Sequence, residues 1–127
     1  MKGSYILVLE LSEDRKIYKW DLKRGLYVYV GSAMNNMEKR IQRHLSSKKK
    51  FHWHIDYLLE HATVKYIFMI SSNKKIEEEI SKQFSKEFSG PKGFGSTDLD
   101  VETNLYYIDD FEKFMRLVSE YLNSILH

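Results

Sequence analysis

The 127-residue chain has no cysteine, one proline and six glycines, and each scarcity closes off a class of protein. Without cysteine there is no disulfide framework, no thiolate zinc site and no thiol nucleophile. So few breakers, with an ordinary apolar share, mark a compact folded protein rather than a disordered one. No apolar run approaches the roughly 20 residues that span a bilayer, so no membrane is expected. Met1 to Tyr5 lead straight towards a strand, without the apolar stretch and cleavage site of a secretory signal, and a cytoplasmic protein is expected. What remains is one domain over residues 1–127, rich in aromatics and long enough for a modest core.

Net charge is only +2, yet it is unevenly spread. Residues 1–50 carry 12 Lys and Arg against 5 Asp and Glu, whereas residues 98–127 carry 2 against 7. A basic first half attracts polyanions, although two merely solvated ends would look the same.

The hydropathy pattern predicts an alternating order of strands and helices. "SYILVLELS", residues 4–12, reads as a strand buried on both faces. Residues 13–24 are charged, with a short strand expected at Ile17–Trp20. Gly25 opens "LYVYVGS", whose period of two puts Tyr27, Tyr29 and Gly31 on one face. An antiparallel pairing of these two long strands follows naturally. Asn35 or Asn36 can cap the next helix, whose packing stripe is Met37, Ile41 and Leu45. "FHWHIDYLLEHA" turns into a short helix, and residues 63–72 form a third strand. Residues 73–88 read as a helix with Ile76, Ile80, Phe84 and Phe88 at every fourth position. After the breaker cluster "SGPKGFGSTD" come a short strand in "ETNLYYI" and a last helix from about Asp110. That helix carries Phe111, Phe114, Val118, Leu122 and Ile125 on one face. The fold class is α/β, a small mixed sheet flanked by helices.

Tyr29, Arg40 and His44 are the first residues with chemistry to offer. Hydrolysis of a phosphodiester needs a base for water, a fixed cation for the developing charge and usually a metal at the leaving oxygen. Arginine fits the cationic role because its forked donors match phosphate oxygens. A tyrosine serves as base only where a cation lowers its pKa from about 10. Spacing alone favours the plainer reading, in which Tyr27 and Tyr29 fill a core edge while Arg40 and His44 ride a solvated helix face.

Together these pieces resemble the GIY-YIG nucleases. "GSY" at 3–5 and "YVGSA" at 29–33 match the two strand motifs, and Arg40 with His44 matches the Arg-x-x-x-His helix. A later helix in that family carries a metal-binding glutamate followed at i+3 and i+4 by apolar residues. "EEEIS" supplies Glu77 with Ile80 at i+3, and Ser81 stands in the second place. The likeness runs over residues 3–107 and extends to a largely archaeal subgroup with "YVGSA", "HWHIDYLL" and a late "GFGS" loop. Some of its members are fused to endonuclease III-type DNA glycosylases.

The resemblance implies a mainly antiparallel sheet and a metal-dependent endonuclease acting on nucleic acid, DNA more than RNA, in repair or processing. The alternative is an inactive nucleic-acid-binding or partner-docking module on the same scaffold. It also implies roles. Tyr5 and Tyr29 would flank the water, with Tyr29 as general base, and Arg40 would clamp the scissile phosphate. His44 would bond a tyrosine hydroxyl or the phosphate. Glu77 would hold one Mg²⁺ or Mn²⁺, and Gly31 would let the backbone turn sharply. Three departures stand out. Ser4 replaces an isoleucine, residues 13–24 are inserted between the motifs, and Glu77, Glu78 and Glu79 are consecutive. A one-position error among those glutamates rotates the carboxylate about 100° around the helix.

"HWHID" offers His52, His54 and Asp56, which admit three readings. They wall the active-site helix, or they touch nucleic acid with Trp53 stacking on a base, or they hold zinc. In the second reading Lys39, Arg43, Lys48, Lys49 and Lys50 would meet phosphates. The late glycine-rich loop lacks a P-loop ending, which excludes nucleotide hydrolysis of that type. Gly95, Ser96 and Asp98 are its candidates for lining the substrate.

Overall fold

The computed structural model describes residues 1–47, 49–96 and 100–126, Leu126 by its backbone alone. Two long strands form its centre. β1 (Gly3–Leu11) runs antiparallel to the fourth strand, β4 (Gly25–Ala33), from Gly3 opposite Ala33 to Leu11 opposite Gly25. Between them the chain makes a separate hairpin of β2 (Arg15–Ile17) and β3 (Trp20–Leu22). β5 (Ala62–Ser71) flanks β1, and β6 (Leu105–Ile108) flanks β4, giving the order β5-β1-β4-β6 with every pairing antiparallel. The helices are α1 (Met37–Leu45), α2 (His54–Leu59), α3 (Glu77–Ser85) and α4 (Phe111–Leu126). This is an α/β protein with a small antiparallel sheet between helices. Among the described residues, no helix is long and apolar enough to cross a membrane.

Strand alternation divides the core in two. Tyr5, Leu7, Leu9, Tyr27 and Tyr29 face Met37, Ile41, Ile55 and Leu58 of α1 and α2, together with Ile17, Trp20 and Leu22 of the hairpin. Ile6, Val8, Val28 and Val30 face Ile80 and Phe84 of α3 and Phe114 and Val118 of α4. Covered on both faces, β1 leaves only Glu10 exposed. Each fully buried Leu or Val in it contributes about 1.5–3 kcal/mol.

Several expectations need correction. Residues 13–24 hold two short strands, not one at Ile17–Trp20. A single strand would send Ile17 and Trp20 to opposite faces, whereas as cross-strand partners both are buried with Leu22. Leu45 is 56% exposed, and His44 takes its place beside Met37 and Ile41. At 100° per residue, position i+7 returns to within about 20° of Met37, while i+8 lies about 80° away. α3 is shorter than residues 73–88. Ile76 is its N-cap residue, and Phe88 is buried beyond its end. In α4, Phe111 and Ile125 are exposed and the core contact falls to Phe114 and Val118. The strand expected in "ETNLYYI" begins only at Leu105. Asn36, rather than Asn35, caps α1 by accepting from Lys39 N–H at 3.0 Å.

Candidate active site

Register brings two phenols together. Tyr5 lies opposite Gly31, and Tyr29 lies opposite Leu7, so the tyrosines are diagonal neighbours on one face, 6.5 Å between ring centres. Gly31 matters because of the space it leaves. A side-chain carbon there would collide with the ring and hydroxyl of Tyr5. Its expected role in a sharp backbone turn is therefore corrected: Gly31 sits inside the regular ladder with no positive φ.

α1 carries Arg40 and His44 one turn apart. His44 is 3% exposed, and its Nε2 shares a 2.7 Å hydrogen bond with the Tyr5 hydroxyl. Burial lowers its pKa to about 4 against the pull of Asp56, so the ring is neutral at pH 7. The half-buried Arg40 donates to the Ser32 carbonyl at 3.0 Å and lies over the Trp53 indole, 4.3 Å from its centre. Burial pushes the Tyr5 pKa up to about 12, opposed by the neighbouring Arg40 guanidinium. Tyr29 is raised well above the ordinary value by burial and by Tyr5 and Glu77 beside it.

α2 braces this arrangement. Asp56, fully buried, accepts both guanidinium nitrogens of Arg43 at 2.9 Å and the backbone N–H groups of His52 and Trp53. Burial opposes its charge, but these donors outweigh that and hold its pKa below the ordinary carboxylate range. Arg43 also lies over Trp53, 4.4 Å from the ring centre. Lys49 donates to the carbonyls of Arg43, His44 and Ser46 at the end of α1. Arg43, Lys49 and Asp56 thus have structural duties. Among the described residues, no group of three or more His, Asp or Glu is gathered as a metal site would require.

Glu77 opens α3, where the positive helix end favours a carboxylate. It accepts from the Ser32 hydroxyl at 2.8 Å and from the Asn104 amide at 3.4 Å, and Lys75 Nζ lies 3.9 Å away. Glu78 turns instead to the backbone N–H of Asp100. Among the three glutamates, Glu77 is the one that lines the cleft.

The cleft measures about 550 Å³ and is lined by Tyr5, Tyr29, Arg40, Trp53, Glu77 and Gly95, among others. His44 stands behind Tyr5. His52 and His54 form part of the wall, and His54 Nδ1 accepts from Gly95 N–H at 2.9 Å. Ser96 does not line it. Its buried hydroxyl donates to the Glu102 carbonyl. Lys39 and Lys50 are exposed outside the cleft. Lys48 and Asp98 lie outside the described residues.

Sequence reasoning overlooked Ser32, Asn104 and Lys75. Ser32 follows Gly31 within "YVGSA", and its hydroxyl orients Glu77. Ser81, the polar departure in "EEEIS", is buried and bonded to Thr103 and Tyr106, so the apolar position became a satisfied polar one.

The family described as "Domain of unknown function DUF123" matches residues 4–127. The chain belongs to that family. DUF123 is GIY-YIG-like, in keeping with the two strand motifs and the helix that follows them. Searches among curated proteins and among solved structures found no match to this DUF123 chain.

Proposed function

We propose that this DUF123 domain is a metal-dependent endonuclease of the GIY-YIG type, related to the subgroup with "YVGSA" and "HWHIDYLL" motifs. It would hydrolyse phosphodiester bonds in nucleic acid, DNA in a repair or processing role, within the cytoplasm. The observation that carries this reading is the meeting of Arg40, Glu77 and two phenols, far apart in sequence, in one open cleft.

The residues fit a single hard cation. Glu77 is a carboxylate oriented by the Ser32 hydroxyl and the Asn104 amide, with Lys75 also near it, and Mg²⁺ or Mn²⁺ is commonly held by one or two carboxylates with water and phosphate oxygens. Such an ion would neutralise charge at the leaving oxygen. Arg40 would hold the phosphate and the charge developing on it, its planar fork braced by Trp53 and the Ser32 carbonyl.

For the base, our reading moves from Tyr29 to Tyr5. Tyr29 makes no hydrogen bond through its hydroxyl among the described residues, whereas Tyr5 has His44 Nε2 at 2.7 Å. A phenol is the stronger donor and an imidazole nitrogen the stronger acceptor, so Tyr5 donates to His44. Tyr5 oxygen would take a proton from water as its own proton passes to Nε2. The relay leaves no free phenolate, and the proton would end on His44, whose low pKa lets it be passed on rather than kept. Tyr29 then walls the water's site.

One observation favours the rival, a non-cleaving module: Lys75 competes for the carboxylate that would hold the ion. The protein should be incubated with plasmid, single-stranded DNA and structured RNA in Mg²⁺ or Mn²⁺, alongside Glu77→Ala, Arg40→Ala and Tyr5→Phe. The nuclease reading predicts cleavage that all three variants lose. Cleavage surviving intact in Arg40→Ala overturns it. Salt-sensitive binding without cleavage, unchanged in Glu77→Ala, gives the site to the module.

A further inference from the structure

The β2–β3 hairpin turns through Tyr18 and Lys19, and Tyr18 adopts φ +55°. Hairpin turns with that backbone ordinarily use Gly, Asn or Asp, because a side-chain carbon is crowded there. A tyrosine is a poor structural choice, and this one is 57% exposed.

Its ring belongs to a row. Tyr18 lies 4.9 Å from Tyr57, and Tyr57 lies 4.8 Å from Phe51, which is 40% exposed. Tyr18 also stacks on His54 at 6.2 Å and 22° and lies 5.9 Å from Trp20. His54 is itself a wall of the cleft, fixed by Gly95 N–H. The row therefore begins one ring away from the candidate scissile position. Lys19 and Lys50, chain neighbours of Tyr18 and Phe51, are exposed and form no ion pair among the described residues.

We infer that Tyr18, Tyr57 and Phe51 form a stacking surface for unpaired bases, with Lys19 and Lys50 meeting the strand's phosphates. The substrate is then a nucleic acid that is single-stranded beside the linkage held in the cleft, such as the free arm of a branched duplex. This rests on the nuclease reading of the cleft. A paired helix hides its base faces within the stack, so exposed rings have a counterpart only where bases are unpaired. The lysines supply the charge match, and continuity through His54 ties the row to the phosphate site.

Binding should be measured by fluorescence anisotropy in EDTA, which separates it from cleavage, using a thymidine oligonucleotide and a blunt duplex of equal length. Tyr18→Gly suits the turn and so keeps the fold, and Phe51→Ala removes a second, exposed ring. Each should weaken single-strand binding by about tenfold while duplex binding stays within about twofold, and Tyr18→Phe should restore it. Equal wild-type affinity for both probes overturns the inference, as do variants that leave single-strand affinity unchanged. A strand preference without cleavage on adding Mn²⁺ supports the stacking row and defeats the nuclease reading. Cleavage without strand preference does the reverse.

Discussion

The two faces of the sheet are built from different chemistry. Towards α3 and α4, β1 and β4 present Ile6, Val8, Val28 and Val30 to Ile80, Phe84, Phe114 and Val118. The polar groups of Ser81, Thr103 and Tyr106 on that side satisfy one another. Towards α1 and α2 the same strands present Tyr5 and Tyr29 to His44, backed by the Asp56–Arg43 pair. Here His44 Nδ1 is buried without a partner among the described residues. Buried atoms without a partner among the described residues occur on the α3–α4 side as well, at Ser4 Oγ and the Tyr121 hydroxyl, so what sets the α1–α2 side apart is its clustered phenols, its histidine and its buried ion pair. Aliphatic packing is concentrated on one face and the phenols and histidine on the other, with Glu77 reaching the cleft from the first turn of α3.

Breaking the quiet face should have the largest effect. Phe114→Ala removes a fully buried ring and should cost about 3–5 kcal/mol in urea unfolding, with the fraction that stays folded fully active. Loss of per-molecule activity would show that the faces are not separable. On the reactive face, Arg40→Ala should lower cleavage by about 10²–10³-fold. Stability should change by only about 1 kcal/mol, since this half-buried side chain holds on through polar contacts to the Ser32 carbonyl and Tyr5 and through the Trp53 ring. Glu78→Gln, one residue from the cleft carboxylate, should leave cleavage near wild type.

The next test uses acid. The folded pKa of His44, about 4, lies below its ordinary 6.5, so the unfolded chain takes the proton first. Stability is therefore whole above about pH 7, declines as pH falls towards 4 and levels off below, a total of roughly 3 kcal/mol. Asp56, held below the carboxylate range, adds its own loss only at lower pH still. His44→Gln cannot take the proton and should flatten the curve between pH 6.5 and 4, read by urea unfolding at successive pH values. An unchanged slope would assign the effect to other groups.

Short-range periodicity explains what the residues disclosed beforehand. The run of β-formers in "SYILVLELS" and the alternation in "LYVYVGS" predict both strands and their pairing, and Asn36, Met37 and Ile41 predict α1. Motif order brought Tyr5, Tyr29, Arg40, His44 and Glu77 into consideration together. Features that depend on register or on distant partners were hidden. Ile17 and Trp20 belong to one buried face only because a turn at Tyr18 reverses the chain. Arg43 grips Asp56, 13 residues on, a partnership that short-range spacing does not show. Asn104 reaches Glu77 because its backbone joins β4 at Val30, which no local pattern announces.

Gly31 offers the smallest and sharpest break. It sits opposite Tyr5 in an ordinary ladder conformation, so alanine is no burden to the backbone. An alanine side chain would nevertheless meet the Tyr5 hydroxyl at 2.5 Å. Relief requires the ring to swing away from His44, at about 1–3 kcal/mol of stability. Cleavage should suffer more than stability does, because the proton path through Tyr5 and His44 would open. A Tyr5→Leu background removes the ring tip, and the stability cost of Gly31→Ala should then shrink towards zero in a double-mutant cycle. If the cost persists undiminished, Gly31 is needed for its backbone, and the phenol's place over the missing side chain is incidental.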